Sequence, residues 1–150
     1  MLLCLIVWVG GLIFFPVVAQ TAFSVLPTRH LAGSVVARSL GILHWMGMVS
    51  GLVFLASSLL YSRISTTGAH VFAARNLLVC LMLGLTLISQ FGIIPRMDAL
   101  RASLREIDSV SADNPRRLRF DTLHVWSTRA ESGVLLLGLA VAYLTSRSLA

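Results

Sequence analysis

The sequence predicts an all-α membrane protein: a four-transmembrane-helix bundle with a short amphipathic surface helix in the third connector. Three long stretches carry no Asp, Glu, Lys or Arg, namely residues 1–28, 39–62 and 76–95. Each can cross a bilayer, which takes ~20 apolar residues in a helix. The chain of 150 residues is 57% hydrophobic and 12% charged, about half the charged fraction of a typical soluble domain. We therefore expect a single integral membrane domain over residues 1–150.

The four transmembrane helices are predicted at about 2–23, 32–61, 72–95 and 119–146. Gly10 and Gly11 fall in the first helix, and Gly47 and Gly51 form a G-x-x-x-G pair in the second. Small residues in an apolar helix let a neighbouring helix approach closely. These four glycines are therefore predicted helix-packing positions. We expect Trp8 near the membrane–water interface, where Trp is enriched.

The third connector contains the predicted surface helix, at about 97–109. Its apolar residues recur at spacings of three, four and three, which places them on one helical face: Met97, Leu100, Leu104 and Ile107. Such a helix lies on the membrane surface with that face in the interface. Pro95 is predicted to end the third transmembrane helix just before it.

The arginines predict the orientation of the chain. All twelve basic residues are Arg; eight flank or fill the first and third connectors, and three lie on the opposite side. Cytoplasmic loops carry the excess of basic residues. The first and third connectors are therefore expected in the cytoplasm, with both termini outside and the chain in a bacterial inner membrane. Because these arginines flank membrane spans, we expect no nucleic-acid binding.

Four polar side chains are predicted to form one layer in the cytoplasmic third of the bundle: His44, His124, Gln20 and Gln90. The prediction depends on depth. His44 follows Ser39 by five residues and His124 follows Arg119 by five, so both are placed about 8 Å into their helices.

Imidazole chemistry makes this layer a candidate cofactor site. Neutral imidazole is a ligand for copper, zinc and haem iron, and Met48 shares a helical face with His44. His44, His124 and Met48 are therefore the candidate ligands for copper or haem b. The alternative is that each histidine hydrogen-bonds a neighbouring helix.

Two charged residues interrupt the fourth helix, Arg129 and Glu131. Intramembrane ionisable residues are functional candidates, and His124, Thr128 and Glu131 are spaced as one stripe, as a proton or ion path requires. The alternative is structural: Arg129 reaches back to the interface, and Glu131 bonds a neighbouring helix or a second copy of the chain.

The sequence contains no nucleophile elbow, zinc-protease motif or phosphate-binding loop, so we expect no enzyme. The sequence thus favours a membrane protein whose polar layer binds or passes a small ligand such as copper or haem. The alternative function is a structural accessory subunit of a larger membrane complex, and a homo-oligomer is a further open arrangement.

The chain resembles the transmembrane protein 205-like family, small four-helix membrane proteins of unknown function. The motifs that carry the resemblance are Trp8-Val9-Gly10-Gly11, Pro27, Ile94-Pro95-Arg96-Met97 and Arg119-Phe120-Asp121-Thr122-Leu123-His124. The resemblance implies four membrane helices with a cytoplasmic loop before the last. The chain is also distantly similar to membrane proteins of the copper-resistance D type, which are tied to copper uptake, and no copper ligand is carried over from them.

Overall fold

The computed structural model describes residues 1–64, 74–104, 110–111 and 113–147, and these residues are almost entirely helical. The helices are α1 (Leu2–Val25), α2 (Arg29–Ile64), α3 (Ala74–Ile88), a π-helix (Ser89–Ile93), α4 (Ile94–Leu104) and α5 (Pro115–Arg147). The all-α class predicted from the sequence is confirmed for the described residues. Two parts of the predicted helices, 72–73 and 105–109, lie outside them.

Helices α2 and α5 both begin earlier than predicted, because each has its own capping residue. The Oγ1 atom of Thr28 accepts a hydrogen bond from the N–H of Leu31 at 3.2 Å, which satisfies a free donor of the first turn. Pro115 is the first residue of α5, a position that its fixed φ angle favours. The Oδ1 atom of Asn114 accepts the N–H of Arg116 at 2.9 Å.

The sequence predicts that the third helix ends at Pro95. In the structure the helix continues past this residue. It passes through the π-helix and continues as α4. The N–H of Ile94 bonds to the carbonyl of Ser89, five residues back, which is the wider turn of a π-helix. Proline lacks an N–H and its ring crowds the preceding turn, and the wider turn accommodates both. The first part of the predicted surface helix is therefore continuous with the third helix.

The core lies between four helical rods. Helices α1 and α3 each pack against both α2 and α5. The buried apolar side chains include Leu5, Trp8, Leu12, Phe54, Val79, Met82, Val134 and Val141.

Trp8 lies in this core, and its expected place near the membrane–water interface stays a prediction. Its side chain is 2% exposed. A Cβ atom at Gly47 or Gly51 would collide with the Trp8 indole, and one at Gly51 would also lie 2.7 Å from Leu83. The glycine pair of α2 therefore forms a groove for a large ring of α1, where no side chain larger than hydrogen fits.

The two glycines of α1 differ in their surroundings. A Cβ atom at Gly11 would lie 2.7 Å from the Leu43 side chain, so Gly11 is in close contact with α2. Nothing lies within 4 Å of the same position at Gly10. The predicted packing role is therefore seen at Gly11, Gly47 and Gly51 and not at Gly10.

In the part of the chain that the structure describes, three helical segments are long and apolar enough to cross a membrane: Leu2–Val25, Arg29–Ile64 and Ala74–Leu104. Many of their large apolar side chains face outward, among them Leu3, Ile6, Phe14, Leu52 and Leu60. Helix α5 is not among the three segments, because its Arg129, Glu131 and Arg147 lower its mean hydropathy.

The bundle opens at the end where α4 continues the third rod. Helix α3 packs on α2, whereas α4 packs on α5 and has few contacts with α2. The space left between α1, α2, α4 and α5 is the cavity described below.

Candidate functional site

A buried histidine joins three helical segments in the interior of the bundle. His44, on α2, is 2% exposed. Its Nδ1 atom lies 2.8 Å from Oε1 of Gln90 in the π-helix, and its Nε2 atom lies 2.5 Å from Oε1 of Glu131 in α5. We call His44, Gln90 and Glu131 the polar triad. Ser89, which is fully buried, donates a weaker hydrogen bond of 3.4 Å to the same Glu131 oxygen.

With the amide oxygen of Gln90 facing Nδ1 of His44, the contacts indicate how many protons the triad holds. Because Oε1 of Gln90 is an acceptor, Nδ1 of His44 carries a hydrogen and donates it. At 2.5 Å, Nε2 and the Glu131 oxygen need a proton between them, since two lone pairs would repel at that distance. Either an imidazolium donates to a carboxylate or a carboxylic acid donates to a neutral ring. In both forms His44 and Glu131 together carry no net charge, as an apolar interior requires.

Helix starts explain why these residues meet. His44 lies fifteen residues after Arg29, the first residue of α2, and Glu131 lies sixteen after Pro115, the first residue of α5. At 1.5 Å per residue both are about 22–24 Å from the same end of the bundle. The π-helix then brings two successive side chains, Ser89 and Gln90, to this level from the third rod.

Glu131 also lines a cavity of about 710 Å³, within the range of about 300–1,000 Å³ that small-molecule sites occupy. Most of its wall is apolar and comes from α1, α2 and α4: Leu12, Phe15, Ala19, Phe23, Val36, Ala37, Leu40 and Ile94. Apart from the residues at its mouth, the polar side chains that line the cavity lie along α5: His124, Ser127, Thr128, Glu131 and Ser132. A ligand here would meet one polar wall and otherwise hydrocarbon.

The two ends of the cavity differ in charge. The mouth is lined by Arg29, His30, Asp98 and Arg101. Nη1 of Arg101 is 2.9 Å from Oδ1 of Asp98, and its guanidinium carbon lies 5.6 Å from the ring centre of Phe120. At the deep end the charged group is Glu131.

The predicted polar layer forms in part. His44 and Gln90 meet. Gln20 is exposed on α1 and is not part of the triad. His124 is exposed and stacks on Phe120 with ring centres 6.5 Å apart.

The two-histidine metal or haem site does not assemble in this geometry. Both ring nitrogens of His44 are engaged by Gln90 and Glu131. His124 precedes Glu131 by seven residues, about 10 Å along α5. Met48 is buried and does not line the cavity. Among the described residues, no group of three or more His, Cys, Asp or Glu could hold a metal ion.

The two charged residues of α5, Arg129 and Glu131, have opposite environments. Glu131 bonds a neighbouring helix, the structural alternative considered from the sequence, and it also faces the cavity together with His124 and Thr128. Arg129 is exposed on the outer face of α5, with its guanidinium carbon 5.6 Å from the ring centre of Trp126.

Sequence reasoning missed Ser89 and the pairing of Glu131 with His44. Counting residues from the helix starts would have found the pair, because Thr28 and the Asn114-Pro115 turn are capping signals in the sequence. The π-helix has no comparable signal, and Pro95 by itself predicts a helix end.

A family model described as a domain of unknown function (DUF4149) matches residues 3–106. The match covers more than half of the chain, and the chain belongs to this family. It includes His44 and Gln90 and ends before α5. No curated protein and no solved structure matches the chain at a significant level. The resemblance to the transmembrane protein 205-like family stays a prediction.

Proposed function

We propose that this member of the DUF4149 family is an integral membrane protein that binds a small, largely apolar ligand in the cavity, with the polar triad as its deep polar contact. One observation carries the proposal: Glu131 belongs both to the triad and to the cavity wall. A ligand in the cavity can therefore interact with the buried proton-sharing pair. The proposal assigns binding or passage of a ligand and no catalysed reaction.

The outward-facing apolar side chains and the three long apolar segments support a membrane location. We propose α5 as the fourth membrane helix. A lone charge at mid-depth costs at least about 2.5 kcal/mol on insertion scales, and here Glu131 is paired with His44. Arg129 is stacked on Trp126, an arrangement suited to a side chain that extends towards an interface.

The cavity opens at the end of the bundle that carries most of the arginines. By the excess of basic residues this end faces the cytoplasm, so we propose that the ligand enters from the cytoplasmic side of a bacterial inner membrane. At the other end, Trp8, Phe54 and Met82 fill the core. Among the described residues, the cavity therefore gives access to the triad from the arginine-rich end.

Copper and haem are supported less well than an organic ligand. Either would need free imidazole nitrogens, and those of His44 are both bonded. His124 remains as one exposed imidazole at the cavity wall. A wall that is apolar on three sides favours a molecule with hydrocarbon surface.

Filling the cavity is expected to abolish ligand retention without unfolding the protein. Ala37 lines the cavity on α2, and Ala37→Phe places a ring in that space. Ala56 lies exposed on the same helix, so Ala56→Phe is the matched control. Native mass spectrometry of protein purified in lipid nanodiscs measures the bound molecule. We expect it in the wild type and in Ala56→Phe, and its absence from Ala37→Phe.

Retention of the same molecule by Ala37→Phe would place the ligand outside the cavity and contradict the proposal. A wild type that neither retains a molecule nor binds an added alkyl amphiphile would contradict it as well.

The second candidate function is a structural accessory subunit, and the outer face of α5 favours it. Arg129 and Trp126 are exposed there on the least apolar of the long helices, a surface that a partner helix would cover. If so, Arg129→Leu should dissociate a larger assembly on native gels, whereas Leu52→Ala, at an exposed position on α2, should not. An unchanged monomer in both variants would remove this candidate.

A further inference from the structure

The proton between His44 and Glu131 has a consequence for what the cavity binds. If that proton leaves, Glu131 keeps a full negative charge and the bare Nε2 lone pair of His44 faces it at 2.5 Å. His44 is 2% exposed, and an uncompensated charge in such surroundings is costly. The proton can therefore leave readily only when another positive charge takes its place.

The replacement charge must arrive through the cavity, because Glu131 is the member of the triad that lines it. Both hydrogen bonds to Glu131 fall on Oε1. Its second carboxylate oxygen is left for a ligand. The surrounding wall is hydrocarbon from Leu12, Leu40 and Ile94, so a cation with apolar substituents fits this end better than a strongly hydrated inorganic ion.

We propose that the cavity binds a hydrophobic organic cation at Glu131 in exchange for the proton that Glu131 shares with His44. In the exchange, the carboxylate turns from Nε2 to pair with the cation, the His44 ring becomes neutral while keeping its Nδ1 hydrogen on Gln90, and one proton leaves through the cavity. Net charge at the site is zero before and after. This proposal rests on the proposed ligand-binding function and names the class of ligand.

The charged and titratable groups around the site are compatible with a cation. They are Arg29 and His30 on α2, Asp98 and Arg101 on α4, and His124 and Arg129 on α5. Residues 1–28, which include α1, contain no Asp, Glu, Lys, Arg or His.

None of the cationic side chains lies beside Glu131. Arg101 is paired with Asp98, and Arg129 lies on the outer face. Arg29 is at the mouth, eleven residues or about 16 Å along α2 from Leu40 at the deep end.

The test uses three probes with the same chain length: decyltrimethylammonium, decanol and decanoate. The quaternary ammonium has no proton to give, so any proton released on its binding comes from the protein. Binding to full-length protein in nanodiscs is measured by calorimetry in buffers of different ionisation enthalpy, which yields the protons released per probe bound. Empty nanodiscs correct for partition into lipid.

We expect the ammonium probe to bind at least tenfold more tightly than decanol, as a charge-assisted contact implies, with one proton released. Glu131→Gln should lose both the preference for the ammonium probe over decanol and the release of a proton. A melting curve identifies any variant that fails to fold, and Glu131→Asp, which keeps the charge, then replaces Glu131→Gln and should retain proton release.

Equal binding of the ammonium probe and decanol without proton release would overturn the exchange while leaving the ligand-binding function intact. Preferential binding of decanoate would overturn it in favour of an anion held by Arg29 and Arg101. Failure of all three probes to bind would overturn the proposed function itself.

Discussion

Replacing Glu131 with alanine is expected to destabilise the protein by about 3–5 kcal/mol, the range for removing one partner of a buried charged pair. His44 would stay 2% exposed with its Nε2 atom unpaired. The cavity beside Glu131 lets water reach the site in part, so the lower end of the range is the better estimate. Reversible unfolding in mild detergent measures the loss.

Replacing both residues separates the contribution of the His44–Glu131 pair from the cost of leaving one partner unpaired. Substituting both members with leucine (His44→Leu with Glu131→Leu) removes the polar pair as a unit, and such replacements are often neutral in stability. We expect the double variant to unfold at nearly the wild-type denaturant concentration and to have lost cation binding. Additive losses from the two single variants would show that His44 and Glu131 do not act as a pair.

The glycine groove of α2 carries the second large effect. Gly47→Ala puts a Cβ atom into the indole of Trp8, which is 2% exposed and has no free space beside it. Overpacking of this kind costs about 1–3 kcal/mol. Gly41 lies on the same helix with nothing within 4 Å of its Cβ position, so Gly41→Ala is the matched control and should be neutral or slightly stabilising.

A second substitution checks the cause of that loss. Trp8→Leu shortens the side chain that fills the groove, and in the Gly47→Ala background we expect it to cost less than it does alone. Unfolding measurements on the four proteins of this cycle give the coupling. If Gly47→Ala and Gly41→Ala were equally stable, α1 and α2 would not be packed through this groove.

The all-α architecture could be predicted from uncharged spans, but the positions of its ends could not be predicted from charge alone. Depth was counted from Ser39 and Arg119, the edges of charged segments, which matched His44 with His124. The helices begin at Arg29 and Pro115, and counting from those residues matches His44 with Glu131. Capping residues decide where a helix begins. In α2 and α5 they lie several residues before the uncharged span.

Depth along the helices predicts both Gln90 and Gln20 at the level of His44. Depth fixes position along a helix and not the direction in which a side chain points. Gln20 points outward. The amphipathic character of Trp8 favours a membrane interface. It does not reveal the groove at Gly47 and Gly51, which provides a buried site for the ring.

Pro95 illustrates a local rule that tertiary context overrides. A proline usually ends a helix, and the π-helix before it lets the third rod continue to Leu104. The same wider turn presents Ser89 and Gln90 to the interior. A feature that sequence reasoning treats as a boundary is thus part of the site.

The most direct test of whether a ligand in the cavity acts on the triad is a proton and nitrogen-15 NMR spectrum of His44 in lipid bilayers. Without ligand we expect a strongly deshielded proton between Nε2 and Glu131, which is absent from Glu131→Gln. Addition of decyltrimethylammonium should remove it from the wild type and from Ala56→Phe, and leave it unchanged in Ala37→Phe. A His44 spectrum that is the same in the wild type and in Glu131→Gln would show that the two residues do not share a proton, and the triad could then not link the cavity to the buried histidine.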